Sequence, residues 1–262
     1  MSTPLPMSDR SDADAPGHWL LARLGKRVLR PGGLEITRTL IDRAGIAGAD
    51  VVELAPGLGA TAQLVLAKTP KSYVGVDADP DAAATVQSRI GDRGTVVTSE
   101  AEHTGLDDGS VDVVLGEAML TMQGEKGKSA IIAEAARVLR PGGRYAIHEM
   151  ALEPDTLSDE QKTEIRQALA RTIRVNARPL TTAEWTELLE AGGFEVESVT
   201  HAPMDLLRPG RNIADEGLLG TLKIVFNVLR RPDARKRVLG MRKVFDKYAD
   251  EMSGMALIAV KK

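Results

Sequence analysis

The sequence predicts an α/β protein built on a doubly wound, mostly parallel sheet with helices on both faces. Three observations carry this. Short β-branched runs bounded by turn residues alternate with helical apolar periods along residues 51–148, the pace of parallel strands joined by helical crossovers. The 262 residues are 43% hydrophobic and 27% charged, which suits one sizeable core and excludes a disordered chain. The first strand opens into a helix through Ala55-Pro56-Gly57-Leu58-Gly59, where glycine leaves the backbone open to a ligand.

Residues 1–17, rich in Pro, Ser and Asp without an apolar period, are expected as a flexible tail, and 18–262 as one domain. Residues 18–29 set Leu20, Leu21, Leu24 and Val28 at helical spacing before Pro31-Gly32-Gly33, and a second helix from Leu34 carries Ile36, Leu40 and Ile41 to a stop near Gly45. Strands follow at 51–54, 73–77, 96–98, 111–115 and 144–148. Between them lie helices through Leu64 and Ala67, over 81–90 behind Asp79-Pro80, and over 129–139 before Pro141-Gly142-Gly143. Ser158 with Gln161, and Thr181 with Glu184, have capping-box spacing for a helix over 158–173 and another ending at Gly192-Gly193. A sixth strand at 195–200 and a last one at 255–260 bring the total to seven, with helices over 212–229 and 232–248 between them. LRPGG at Leu29 and at Leu139 has unmatched flanks and is read as coincidence.

Composition removes several function classes. There is no cysteine, hence no disulfide, thiolate nucleophile or Cys-ligated metal, and the four histidines include no His-x-x-x-His pair, so no metal is expected. A net charge of −3 and only eight aromatic residues disfavour nucleic acid as a partner. The longest run without a charged residue, 54–67, is too short to span a bilayer, and no basic, apolar leader opens the chain; a cytoplasmic location is expected.

The glycine turn alone is equally at home in packing. Asp77 narrows the reading, because it ends the next strand 18 residues beyond Gly59, where a carboxylate accepts hydrogen bonds from ribose hydroxyls. Dinucleotides and S-adenosylmethionine are both bound in this way. A pyrophosphate loop prefers G-x-G-x-x-G, whereas here Ala55 precedes Gly57 and Gly59, with Thr61 and Ala62 following. A nicotinamide-dependent oxidoreductase is therefore the alternative reading, and a catalytically silent S-adenosylmethionine-binding module a third.

Four segments in order, VVELAPGLGA at Val51, YVGVDADP at Tyr73, SEAEHTGLDDGSVDVVLGEAML at Ser99 and RVLRPGGRYAIHEM at Arg137, resemble class I S-adenosylmethionine-dependent methyltransferases. The likeness runs from about Gly32 to Gly193 and is nearest to the small-molecule, quinone- and sterol-modifying branch. It implies a Rossmann-like sheet of seven strands with an antiparallel last strand and helical lid insertions at about 151–180 and 205–250. It implies in-line methyl transfer to a small-molecule acceptor, with S-adenosylhomocysteine as product. By position, Glu53, Ala55, Gly57 and Gly59 would wrap the methionine and ribose, and Asp77 with Ala78 would take the ribose hydroxyls. Glu100 and Ala101 would hold the adenine, and Gly116 and Glu117 would line the sulfonium end. Ala55 replaces a family glycine, a mild change so long as its φ is negative.

His148, Glu149 and Glu117, at strand ends, are the candidate catalytic bases. The segment at His18, the insertion around 158–179 and the helices before the last strand are expected to cover the acceptor. Residues 221–247 hold nine Lys or Arg against Asp233 and Asp246, a local net of +7 that leaves −10 for the rest. Such a run is commonly a solvated face; the sharper expectation is an anionic or lipophilic acceptor, or peripheral contact with an anionic membrane.

Overall fold

In the computed structural model, which describes residues 11–207 and 209–262, the chain winds around one sheet. Its strands are β1 (Asp50–Leu54), β2 (Ser72–Asp77), β3 (Thr95–Thr98), β4 (Val111–Glu117), β5 (Leu139–Leu152), β6 (Leu180–Thr181), β7 (Phe194–Pro203) and β8 (Met252–Lys261). They lie in the order β3-β2-β1-β4-β5-β8-β7, with the two-residue β6 paired to β5 off this path. β8 runs antiparallel to both β5 and β7, and the other pairs are parallel. This is the expected mixed sheet with an antiparallel last strand; β6 is added.

The helices are α1 (Gly17–Arg23), α2 (Gly33–Ala44), α3 (Ala60–Leu66), α4 (Pro80–Ile90), α5 (Glu125–Val138), α6 (Asp159–Ile173), α7 (Thr182–Ala191), α8 (Pro209–Arg230) and α9 (Pro232–Lys247). Alternate residues of each central strand face opposite layers. Val51, Val113 and Leu115 pack under Ile36, Leu40, Val65 and Val86 of α2–α4. Val52, Val114 and Ile147 pack under Ile131 of α5 and Trp185 and Leu189 of α7. A third cluster joins Leu20 and Leu21 of α1, Leu169 of α6, and Met241 and Phe245 of α9 over the ends of β5 and β8.

Local signals hold where the chain dictates its own geometry. Asp79 caps α4 by accepting from the N–H groups of Asp81 and Ala82 at 2.8 and 3.1 Å, with Pro80 in the first turn. Both capping boxes form, at Ser158 and at Thr181. Other expectations are corrected. The first helix stops at Arg23 because Gly25 takes φ +103°, so residues 24–30 run irregularly although Leu24 and Val28 are buried. Of the expected tail, residues 1–10 lie outside the described residues, whereas Ala15 is fully buried and Asp14 pairs with Arg174 at 2.8 Å. α8 is kinked at Gly217, and β5 continues past His148 to pair with the start of β8.

Candidate functional site

Chain winding reverses between β1 and β4, and the carboxyl ends of the strands at such a reversal are where open α/β sheets bind ligands. A cavity of about 310 Å³ opens at this point. β1 leaves the sheet through Ala55, whose N–H donates to the Val76 carbonyl at 2.7 Å while its φ is +52°. The departure from glycine is thus not the mild one expected, because the Cβ sits in the left-handed region. Gly57 donates its N–H to Asp77 Oδ2 at 3.0 Å, and Asp79 donates to Asp77 Oδ1 at 3.0 Å. Burial raises the Asp77 pKa against these two donors.

Eight of the ten candidate cofactor positions, Glu53, Ala55, Gly57, Asp77, Ala78, Glu100, Ala101 and Glu117, line this cavity. Gly59 and Gly116 do not. Gly59, at φ +71°, caps α3, so its work is to let the chain enter that helix through the left-handed region. Gly116 lies within β4, opposite Leu54 and Ile147. Glu53 accepts from the Tyr73 hydroxyl at 2.7 Å, and burial pushes its carboxyl up to about 8.

The three candidate bases differ in surroundings. Burial alone would raise Glu117, but the Arg30 guanidinium, then His148 and Thr61, hold it down at about 2. Its Oε2 meets Arg30 and Thr61, and its Oε1 meets Thr37 at 2.7 Å and His148 Nδ1 at 2.9 Å. His148 is fully buried, with Nε2 donating to the Pro31 carbonyl at 2.6 Å. Glu149 Oε1 accepts from the N–H groups of Met119 and Leu120, and Oε2 from the N–H and hydroxyl of Thr121, at 2.7–3.0 Å. Those four donors match the accepting capacity of a carboxylate.

Residues 17–30, expected to cover the acceptor, also wall the larger cavity: His18, Trp19, Arg27, Leu29 and Arg30 face it. Arg30 belongs to the LRPGG segment read as coincidence. The segment is held by Glu216 of α8, buried at 5% exposure, which accepts from the N–H groups of Arg27 and Val28 at 2.7 and 2.8 Å. Partners so far apart in sequence leave no local signal. A second, apolar cavity of about 80 Å³ adjoins the first and shares His18, Leu29, Ala118 and Met122 with it. Leu21, Ile173, Ala177, Met204, Met241 and Phe245 also line it, so each of the three expected covering segments reaches it. Burial lowers His18 to about 4. Among the described residues no group of three or more His, Asp or Glu could hold a metal.

A carboxylate at the tip of β2, an open turn before α3 and a cavity of this volume fit a nucleoside-bearing cofactor. Residues 52–147 match the family described as a methyltransferase domain. An uncharacterized protein of Haemophilus influenzae is 35% identical over 254 residues, 94% of this chain and 97% of its own. A probable S-adenosylmethionine-dependent methyltransferase of Mycolicibacterium smegmatis is 33% identical over 153 residues, 58% of this chain and 54% of its own. The phosphoethanolamine N-methyltransferase 2 of Haemonchus contortus, solved with S-adenosyl-L-methionine, superposes with a TM-score of 0.71 at 18% identity, over 97% of this chain and 58% of its own. Nothing in these matches favours the nicotinamide alternative or the silent module. With the matched domain and the strand-end cavity taken together, residues 52–147 are a methyltransferase domain, and the chain has the fold of the class I S-adenosylmethionine-dependent methyltransferases.

Proposed function

We propose that the chain methylates a small molecule with an apolar body, bound in the smaller cavity while the cofactor fills the larger one. The observation that carries this is the wall the two cavities share at His18, Leu29, Ala118 and Met122, where a polar site meets an apolar one. The sulfonium of bound S-adenosylmethionine supplies an electrophilic methyl group, which leaves the protein mainly to align the acceptor and exclude water. In this reading Asp77 and Ala78 receive the ribose, Glu100 and Ala101 the adenine, and Glu53, Ala55 and Gly57 the amino-acid end. Gly59 and Gly116 act through the backbone course they allow.

Glu149 and His148 serve as positioning residues, since every polar atom of each is engaged. Glu149 fixes the turn at 119–121 between the cavities, and His148 steadies Glu117. Glu117, held anionic by its ion pair with Arg30, presents a positioned carboxylate at the methyl-bearing end. His18 stays neutral near pH 7 and orients the acceptor's nucleophile by a hydrogen bond.

Calorimetric titration with S-adenosylmethionine tests the cofactor half. Asp77→Ala is expected to weaken binding by about ten- to a hundredfold, the worth of hydrogen bonds to a charged group. Ala177→Phe tests the acceptor half by filling the apolar cavity. It is expected to leave cofactor affinity intact and abolish transfer to whichever acceptor a lipophilic panel identifies. Unchanged turnover in Ala177→Phe overturns the placement of the acceptor.

A further inference from the structure

The outer surface of α8 and α9 is unlike the rest of the molecule. Beyond the kink at Gly217, Leu218, Leu219, Leu222, Val225, Phe226 and Leu229 all point outward, Leu219 at 82% exposure and Phe226 at 55%. At 3.6 residues per turn they cover an arc of roughly 120°. Ile224, on the opposite side, is the residue buried against the protein. Lys223 and Arg230 border the stripe, and the Arg230 guanidinium lies 5.0 Å over the Phe226 ring. α9 continues the surface with Arg235, Lys236, Leu239, Arg242 and Lys243 exposed on one face. Lys223, Arg235, Lys236 and Lys243 make no side-chain hydrogen bond or ion pair among the described residues.

We infer that this helix pair is a docking surface for an anionic phospholipid bilayer. A contiguous apolar stripe of this kind marks an interaction surface, and its basic border selects the partner. A second copy of the chain joined through a twofold axis would set the same Lys and Arg residues against one another. An anionic bilayer accepts the leucines and phenylalanine into its interface and neutralises the cations around them. The charge distribution fits this orientation, with +7 in residues 221–247 and −10 in the remainder, which then faces away from the lipid headgroups. No described helix is long and apolar enough to cross a membrane, so the contact is peripheral.

The inner sides of the same helices reach the catalytic region. Met241 and Phe245 of α9 line the apolar cavity, and Glu216 of α8 clamps the segment that carries Arg27 and Arg30. Docking would thus set a helix that walls the acceptor cavity against the bilayer. The docking itself stands whatever the acceptor is.

Co-sedimentation of the full chain with vesicles of phosphatidylcholine alone, and of phosphatidylcholine and phosphatidylglycerol in equal parts, provides the test. The chain is expected to pellet with the anionic vesicles, to be released by high salt, and to stay largely in solution with the neutral ones. The double variants Leu219→Ser/Phe226→Ser and Lys236→Glu/Lys243→Glu are each expected to lower vesicle affinity by about tenfold or more. Both are expected to bind S-adenosylmethionine as the parent does, which shows that they fold. Failure to bind anionic vesicles, or equal binding to both kinds, overturns the inference. So does light scattering that finds a dimer dissolved by the leucine and phenylalanine substitutions without any lipid effect.

Discussion

Ala55 is held at φ +52° in the turn that leaves β1, a region that costs a residue with a Cβ about 1–2 kcal/mol. The surrounding chain fixes it there. Its N–H is committed to Val76, and two residues later Gly57 is tied to Asp77, so relaxing Ala55 would break the link between turn and β2. Replacement by glycine removes the steric cost but adds backbone entropy to the unfolded chain, an opposing effect of roughly 0.5–1 kcal/mol. Ala55→Gly is therefore expected to stabilise the protein by up to about 1 kcal/mol, a rise in Tm of roughly 2–4 °C. Cofactor affinity should change little, because the N–H geometry is kept. A fall in Tm on calorimetric scanning would mean that the alanine methyl group contributes packing that outweighs its strain.

Among the elements, the one that decides the site is irregular. Residues 27–30 carry Arg27, Leu29 and Arg30 to the cavity beyond the last hydrogen bonds to α1, which end at Lys26, and the Glu216 carboxylate takes the N–H groups of Arg27 and Val28 in their place. Glu216→Ala leaves two N–H groups of that segment without their acceptor, at about 1–3 kcal/mol for each that stays buried. The expected result is a loss of a few kcal/mol in stability, weaker cofactor binding and new proteolytic cleavage within 24–30, with β1–β5 intact. Cleavage confined elsewhere would show that the segment is held by other contacts. The same element shows what a sequence reveals. Helix ends capped by Asp79, Ser158 and Thr181 are legible because cap and partner lie within three residues. The strand tips with Glu53, Asp77 and Glu117 are legible from alternation and spacing. The Glu216 clamp joins residues 188 and 189 positions apart, and Glu149 serves a turn about 30 residues before it, so neither leaves a local pattern.

At the scale of the whole molecule, the buried titratable groups of the site make opposing demands on stability. Glu117, at about 2 in the fold against 4.5 unfolded, stabilises above pH 4.5 and loses that contribution as pH falls toward 2. Glu53, raised from 4.5 to about 8, does the reverse: its contribution is complete below pH 4.5 and is lost as pH rises through 8. His18, lowered from 6.5 to about 4, binds its proton more readily in the unfolded chain, so it favours the fold increasingly from pH 4 to 6.5. Between 4.5 and 6.5 the gain from His18 and the loss from Glu53 offset each other. Between 6.5 and 8 Glu53 acts alone among these three. Urea unfolding of the cofactor-free protein is therefore expected to show stability rising to about pH 4.5, level to 6.5 and declining to 8, with a slope of at most roughly 1.4 kcal/mol per pH unit for the one proton. Glu53→Gln keeps an acceptor for the Tyr73 hydroxyl without the ionisation. It should turn the level stretch into a rise and remove the decline above 6.5, leaving in place the acid limb, to which Asp50 and Glu134, each also held at about 2, contribute beside Glu117. A decline that persists in Glu53→Gln would assign the alkaline loss to another group, and Asp77, also raised by burial, is the next to replace.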